Sequence, residues 1–121
     1  MKRKGFTLTE LLMIMIILAI VASTAIPHYY NLVDEAESAA EDGVTAGVRA
    51  GISTYFATNK AFPSALDTAA ISVCSSTNVC FDTILGQGAI TDYWEKTAAN
   101  QYLGPTGSRT YSYTSASGSF Q

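Results

Sequence analysis

The chain has 121 residues, the size of one domain, and is 48% hydrophobic but only 14% charged, where an ordinary soluble domain carries about 25% charged residues. Its formal net charge is −3, and three of the seven basic residues are Lys2, Arg3 and Lys4; without them four basic residues face ten acidic ones. That balance excludes a basic nucleic-acid-binding subunit, and no direct nucleic-acid partner is expected.

Residues 1–30 carry most of the information. A basic leader precedes Gly5-Phe6-Thr7-Leu8-Thr9-Glu10, and from Leu11 to Tyr30 there is no Asp, Glu, Lys or Arg. A secretory signal peptide has this outline, with small residues near Ala22–Ala25 for a cut. So does a plain signal anchor, because Phe6–Leu8 and the run from Leu11 to Ile26 reach the roughly 20 residues a bilayer needs. Neither reading accounts for Glu10. A carboxylate in hydrocarbon costs on the order of 2–3 kcal/mol even on lenient scales, so something must neutralise it.

Gly5-Phe6-Thr7-Leu8-Thr9-Glu10-Leu11-Leu12 resembles the cleavage and methylation motif of type IV prepilins and pseudopilins. The resemblance implies an α+β pilin fold: a long N-terminal helix packed at its C-terminal half on a small antiparallel sheet. It implies a leader, 1–5, that prepilin peptidase removes by cutting between Gly5 and Phe6 and then N-methylating Phe6. It implies an assembly role for Phe6, Glu10 and Pro27, with Glu10 pairing the Phe6 amine of a neighbouring subunit. Thr9 departs from the large aliphatic residue more common in that family.

Residues 6–30 are then the transmembrane and filament-core half of the helix, and 31–58 the amphipathic half. We expect one helix from about Thr7 to Thr58, interrupted near Ile26-Pro27 because proline lacks an amide donor and crowds the preceding turn. The family suggests an extended stretch over roughly Ala19–Pro27; a simple kink is the alternative. Past Tyr30, Asp34, Glu35, Glu37, Glu41 and Asp42 read as a solvated acidic face, or as a surface meeting basic residues of adjacent subunits. Ala40, Val44, Val48, Gly51/Ile52 and Tyr55/Phe56 form a stripe at helical spacing. Asn59-Lys60-Ala61-Phe62-Pro63 ends the helix.

Residues 59–121 form the globular β-sheet lobe. Ile71–Cys74 and Val79–Ile84 are candidate strands, Arg109–Thr114 alternates as a half-buried strand does, Ser115–Gly118 turns, and Ser119–Gln121 begins a last strand. Trp94, Tyr102, Tyr111 and Phe120 are candidate core aromatics. In an exported chain Cys74 and Cys80 are expected to pair as a disulfide, with two buried free thiols as the alternative.

No catalytic residue, cofactor or metal site is expected: His28 is the sole histidine, and no nucleophile, phosphate-loop or paired metal motif is present. The implied function is that of a structural subunit of a type IV pilus, serving adhesion, twitching motility or DNA uptake. The alternative is a pseudopilin of a type II secretion system. Pseudopilins often carry a C-terminal calcium site, and no acidic residue follows Glu95, although Asp92-Tyr93-Trp94 vaguely resembles their tryptophan segment. Phe6, Tyr29, Tyr30, Tyr55 and Phe56 suggest electron conduction less well than they suggest packing and interfacial placement. Expected partners are other copies in a helical filament, the inner membrane before assembly, prepilin peptidase, and an assembly platform with its ATPase. The expected locations are the inner membrane for the precursor and an extracellular pilus (fimbrium) once assembled, or a periplasmic pseudopilus in the alternative.

Overall fold

A computed structural model describes residues 5–86 and 93–121. The basic leader residues Lys2, Arg3 and Lys4, and Asp92, lie outside the described residues. The chain divides into two compact units, Met1–Ala36 and Glu37–Gln121.

The first unit is helical from Leu8, where α1 (Leu8–Asn59) begins. Charge-free aliphatic sequence sustains it, and its apolar side chains stand open: Leu11, Ile17 and Ile26 are each more than half exposed. Pro27 sits inside the helix, and the stretch over Ala19–Pro27 is helical throughout. The expected interruption or extension is therefore corrected. Pro27 deprives the Ser23 carbonyl of its usual donor. Just ahead of it, the Ser23 hydroxyl donates to the Ile20 carbonyl at 2.7 Å and the Thr24 hydroxyl to the Val21 carbonyl at 3.0 Å. These bonds occupy local acceptors while leaving the helical path intact, and hydroxyl back-bonding bends helices more often than it breaks them.

In the second unit α1 packs against a four-stranded antiparallel sheet in the order β1-β2-β3-β4, built from β1 (Glu95–Ala98), β2 (Gln101–Leu103), β3 (Thr110–Thr114) and β4 (Ser119–Phe120). The fold is α+β, the pilin arrangement of helix and sheet. Val48 and Ile52 of the helix share one core with Trp94, just ahead of β1, and with Tyr102, Tyr111 and Phe120 of the sheet, as the aromatic residues led us to expect. Phe81 joins them, with ring centroids 4.5 Å from Tyr102 and 5.6 Å from Trp94, the latter edge to face. Alternation in β3 buries Tyr111 and Tyr113 and leaves Thr110 and Thr114 outside.

α1 ends where expected. Lys60 adopts a left-handed conformation (φ 57°), and its amide reaches the Phe56 carbonyl at 2.8 Å. Phe62 then folds back to stack on Phe56, centroids 4.5 Å apart.

Two candidate strands are corrected. Within Ile71–Cys74 only Val73 pairs, in a single bridge to Glu95. The Asn78 side chain occupies the outer edge of that segment, bonding Ala70 through both its amide and its carbonyl, and the Val73 carbonyl as well. Val79–Ile84 is not extended: Phe81 turns with φ 61° and α2 (Asp82–Leu85) follows. The disulfide between Cys74 and Cys80 closes the intervening loop, with Cα atoms 5.6 Å apart.

Candidate assembly segment and buried polar anchors

The head of α1 is organised by Thr7 and Glu10. The Thr7 backbone amide donates to Glu10 Oε2 at 2.8 Å and its hydroxyl donates to the same oxygen at 2.9 Å, while the Glu10 amide donates to Thr7 Oγ1 at 3.3 Å. This is a reciprocal capping box, in which two otherwise orphaned amide donors of the first helical turn are satisfied. Its signature, Thr-x-x-Glu before an apolar run, is present in the sequence as Thr7-Leu8-Thr9-Glu10. Glu10 therefore has a local resting place. Gly5, Phe6 and Glu10 are all exposed, with Phe6 at 80% of its free area, and Pro27 and His28 are exposed as well. α1 is long and apolar enough to cross a membrane by length and composition.

The expected sites Gly5, Phe6 and Glu10 thus fall within one short stretch, while Pro27 lies some five turns along the same helix. Cys74 and Cys80 are bonded and fully buried in the other unit. Among the described residues no three His, Cys, Asp or Glu side chains are grouped so as to hold a metal ion.

That second unit contains polar residues that periodicity placed outside. Glu41 is wholly buried rather than part of a solvated acidic face. It lies one position from the expected stripe: the buried residues of the helix are Glu41, Thr45, Val48 and Ile52, and Ala40 is exposed. Its Oε1 accepts the Tyr111 hydroxyl at 2.8 Å, and its Oε2 accepts the Thr106 hydroxyl at 2.6 Å and the Thr106 amide at 3.3 Å. Gly104 faces this carboxyl group so closely that a Cβ there would overlap it. Beside it, Arg109 reaches Asp42 at 2.6 Å, an exposed pair worth little by itself. The β2–β3 loop is therefore held to the helix by directed hydrogen bonds.

A second polar anchor joins Asp67, with its side chain fully buried, to Lys96, 7% exposed, at 2.5 Å. The other Asp67 oxygen accepts the Phe81 amide at 3.1 Å, and Lys96 also donates to the Ala69 carbonyl at 2.9 Å. Neither residue gives a signal in the sequence: Asp67 stands singly between Leu66 and Thr68, and Lys96, next to Glu95, reads as an ordinary surface charge.

With this geometry in place, the comparisons with known proteins bear on residues already described. Residues 1–26 match the family model of the prokaryotic N-terminal methylation motif. The chain is similar to the type IV narrow pilus major component PilA5 of Thermus thermophilus, at 35% identity over 63 residues, 52% of this chain and 54% of that protein. It thus spans about half the length of the curated relative it matches. No solved structure matches.

Proposed function

We propose that this chain is a member of the type IV pilin family and a structural subunit of a pilus filament rather than an enzyme. One observation carries the reading: behind the matched motif, a helix free of charge from Leu11 to Tyr30 holds its aliphatic side chains open, with one acid at its head. Such a surface needs lipid or other helices to cover it, since soluble chains rarely leave contiguous apolar patches of this extent. Lipid covers it in the precursor, and the helices of neighbouring copies cover it in the filament. The two environments are similarly apolar, so transfer between them is nearly balanced and an assembly machine with its ATPase can drive it.

In this reading prepilin peptidase cuts between Gly5 and Phe6, removing 1–5, and Phe6 is N-methylated. The new amine retains its charge and stands four residues ahead of Glu10. The capping box holds Glu10 in the lone subunit; in the filament Glu10 exchanges that arrangement for the Phe6 amine of a neighbour. Misaligned helices leave both charges buried and unmatched, so the pair sets register. Pro27 adapts the helix path for packing. Residues 6–30 are the membrane and filament-core half, 31–58 the amphipathic half and 59–121 the outer lobe.

The pilus reading is favoured over a type II secretion pseudopilin because the similar protein is named as a pilus major component. Adhesion, twitching motility and DNA uptake are the roles such a fibre would serve. The test is mass spectrometry of the mature protein. A chain beginning at N-methyl-Phe6 is expected; a start near Ala25 would make this an ordinary secreted protein. Surface fibres sheared from cells should contain the chain, and its recovery only from the periplasm of secreting cells would favour the pseudopilin.

A further inference from the structure

We propose that Asp67 and Lys96 are joined in the mature protein by an intramolecular amide bond. Lys96 Nζ and Asp67 Oδ1 stand 2.5 Å apart, in a site where the Asp67 side chain is fully buried and that of Lys96 nearly so. Phe81, whose amide bonds Asp67, and Tyr102, which stands near Asp67, are both wholly buried. Water is kept from both partners, which disfavours separated charges and also disfavours hydrolysis of the product.

The remaining contacts suit condensation. The Phe81 amide donates to Asp67 Oδ2 at 3.1 Å, polarising the carbonyl that is kept. The Ala69 carbonyl accepts from Lys96 Nζ at 2.9 Å, holding the N–H that stays on the product nitrogen. Tyr102 supplies a third group: its buried hydroxyl has no hydrogen-bond partner among the described residues. Burial, and next to it the nearby Asp67 carboxyl group, keep that phenol protonated well above its ordinary range. It stays neutral beside the pair and adds no competing charge to the site.

The step balances without an added reagent. One proton passes from Nζ to Oδ1, giving the neutral amine and the neutral acid. The nitrogen lone pair attacks Cγ, the Cγ–N bond forms, and the Cγ–Oδ1 bond breaks. Oδ1 leaves as water, carrying its own proton and one from the nitrogen. No atom is oxidised or reduced. The bond would tie the segment after α1 to β1 across 29 residues of sequence, close to the Cys74–Cys80 bridge but independent of it and resistant to reductants.

The test is peptide mapping of the full-length protein extracted from membranes or filaments, after reduction and alkylation. Between Lys60 and Arg109 the only tryptic site is Lys96. With the amide in place trypsin does not cut there, and 61–109 is recovered as one peptide lighter by one water. Chymotryptic cleavage at Phe81 leaves its two halves joined through Asp67 and Lys96. Lys96→Arg keeps the cation and cannot form the bond, so it should restore both cleavage and full mass; Asp67→Ala should do the same if it folds. Recovery of 61–96 from the wild type at full mass would overturn the proposal. So would a water loss that persists in Lys96→Arg or is reversed by hydroxylamine, the mark of a cyclic imide.

Discussion

Replacing Gly104 with alanine puts a methyl group where the Glu41 carboxyl group sits. Gly104 is buried, and the opposing carboxyl group is fixed by Tyr111 and Thr106, so neither side can retreat freely. Overpacking a rigid site costs about 1–3 kcal/mol. If Glu41 is displaced, the Tyr111 hydroxyl and the Thr106 donors lose a charged acceptor, and unsatisfied buried donors cost a further ~1–3 kcal/mol. A total of about 4 kcal/mol follows at the midpoint of these ranges, or a fall in Tm on the order of 20 °C for a lobe of this size. Glu41→Ala should be destabilising by itself, by about 2–4 kcal/mol, for the same unpaired donors. The two losses should not add. Without the carboxyl group the methyl has room, and Gly104→Ala in the Glu41→Ala background should cost under about 1 kcal/mol. Trp94 is the sole tryptophan and is buried in the same core, so its fluorescence during urea unfolding of the detergent-solubilised chain reports the lobe directly. An equal cost for Gly104→Ala in both backgrounds would refute the idea that this glycine exists to admit Glu41.

Glu10→Ala should leave membrane insertion intact and abolish filament assembly, scored by fractionation and electron microscopy; normal filament yield would remove the charge-pairing step. Replacing Cys74 and Cys80 together by alanine should lower the stability of the lobe by about 2 kcal/mol, the value for closing so short a loop, measured by the same urea unfolding; an unchanged midpoint would mean the bridge constrains nothing. Tyr102 and Tyr113 are both held above the ordinary phenol range, each chiefly by burial, Tyr102 next by Asp67 and Tyr113 next by Tyr55. Because the folded state favours their neutral forms, the stability they contribute is complete below about pH 10 and is lost as pH rises beyond it. In an absorbance titration these two of the seven tyrosines should ionise only as the fold is lost; reversible ionisation of all seven with the near-ultraviolet dichroism intact would contradict this.

Much of the architecture was readable because it rests on local chemistry. The charge-free run after Glu10, the Asn59–Pro63 stop, the alternation through Tyr111 and Tyr113 and the turn at Ser115–Gly118 each follow from their own residues. The errors lie where a distant partner decides. Nothing near Val79–Ile84 announces that Phe81 will turn left-handed into the core, and Asn78 blocks the edge of Ile71–Cys74 from outside that segment. Pro27 misled for the opposite reason, since a general rule against proline in helices outweighed two neighbouring hydroxyls able to bond back to the chain.

Glu41 shows why a buried acid escapes a periodicity argument and why it is nonetheless in place. Counting back from Ile52 in steps of four, three and four passes Val48 and Thr45 and lands on Glu41, so the helix itself puts position 41 on the buried face. What faces that end of the stripe is Gly104-Pro105-Thr106-Gly107-Ser108-Arg109, a loop with no large apolar side chain. A leucine at 41 would leave the Thr106 hydroxyl and amide and the Tyr111 hydroxyl without an acceptor, and each unpaired donor would count against it. An acid accepts all three at once. It also fixes alignment: sliding the helix by one residue against the β2–β3 loop would offer Ala40 or Asp42 instead, one unable to accept and the other with a shorter side chain already committed to Arg109. Hydrophobic contact from Val48 and Ile52 holds the helix on the sheet but tolerates small slips, whereas three directed bonds to one carboxyl group do not. In a lobe this small, the apolar end of the stripe supplies the adhesion and the polar end supplies the register.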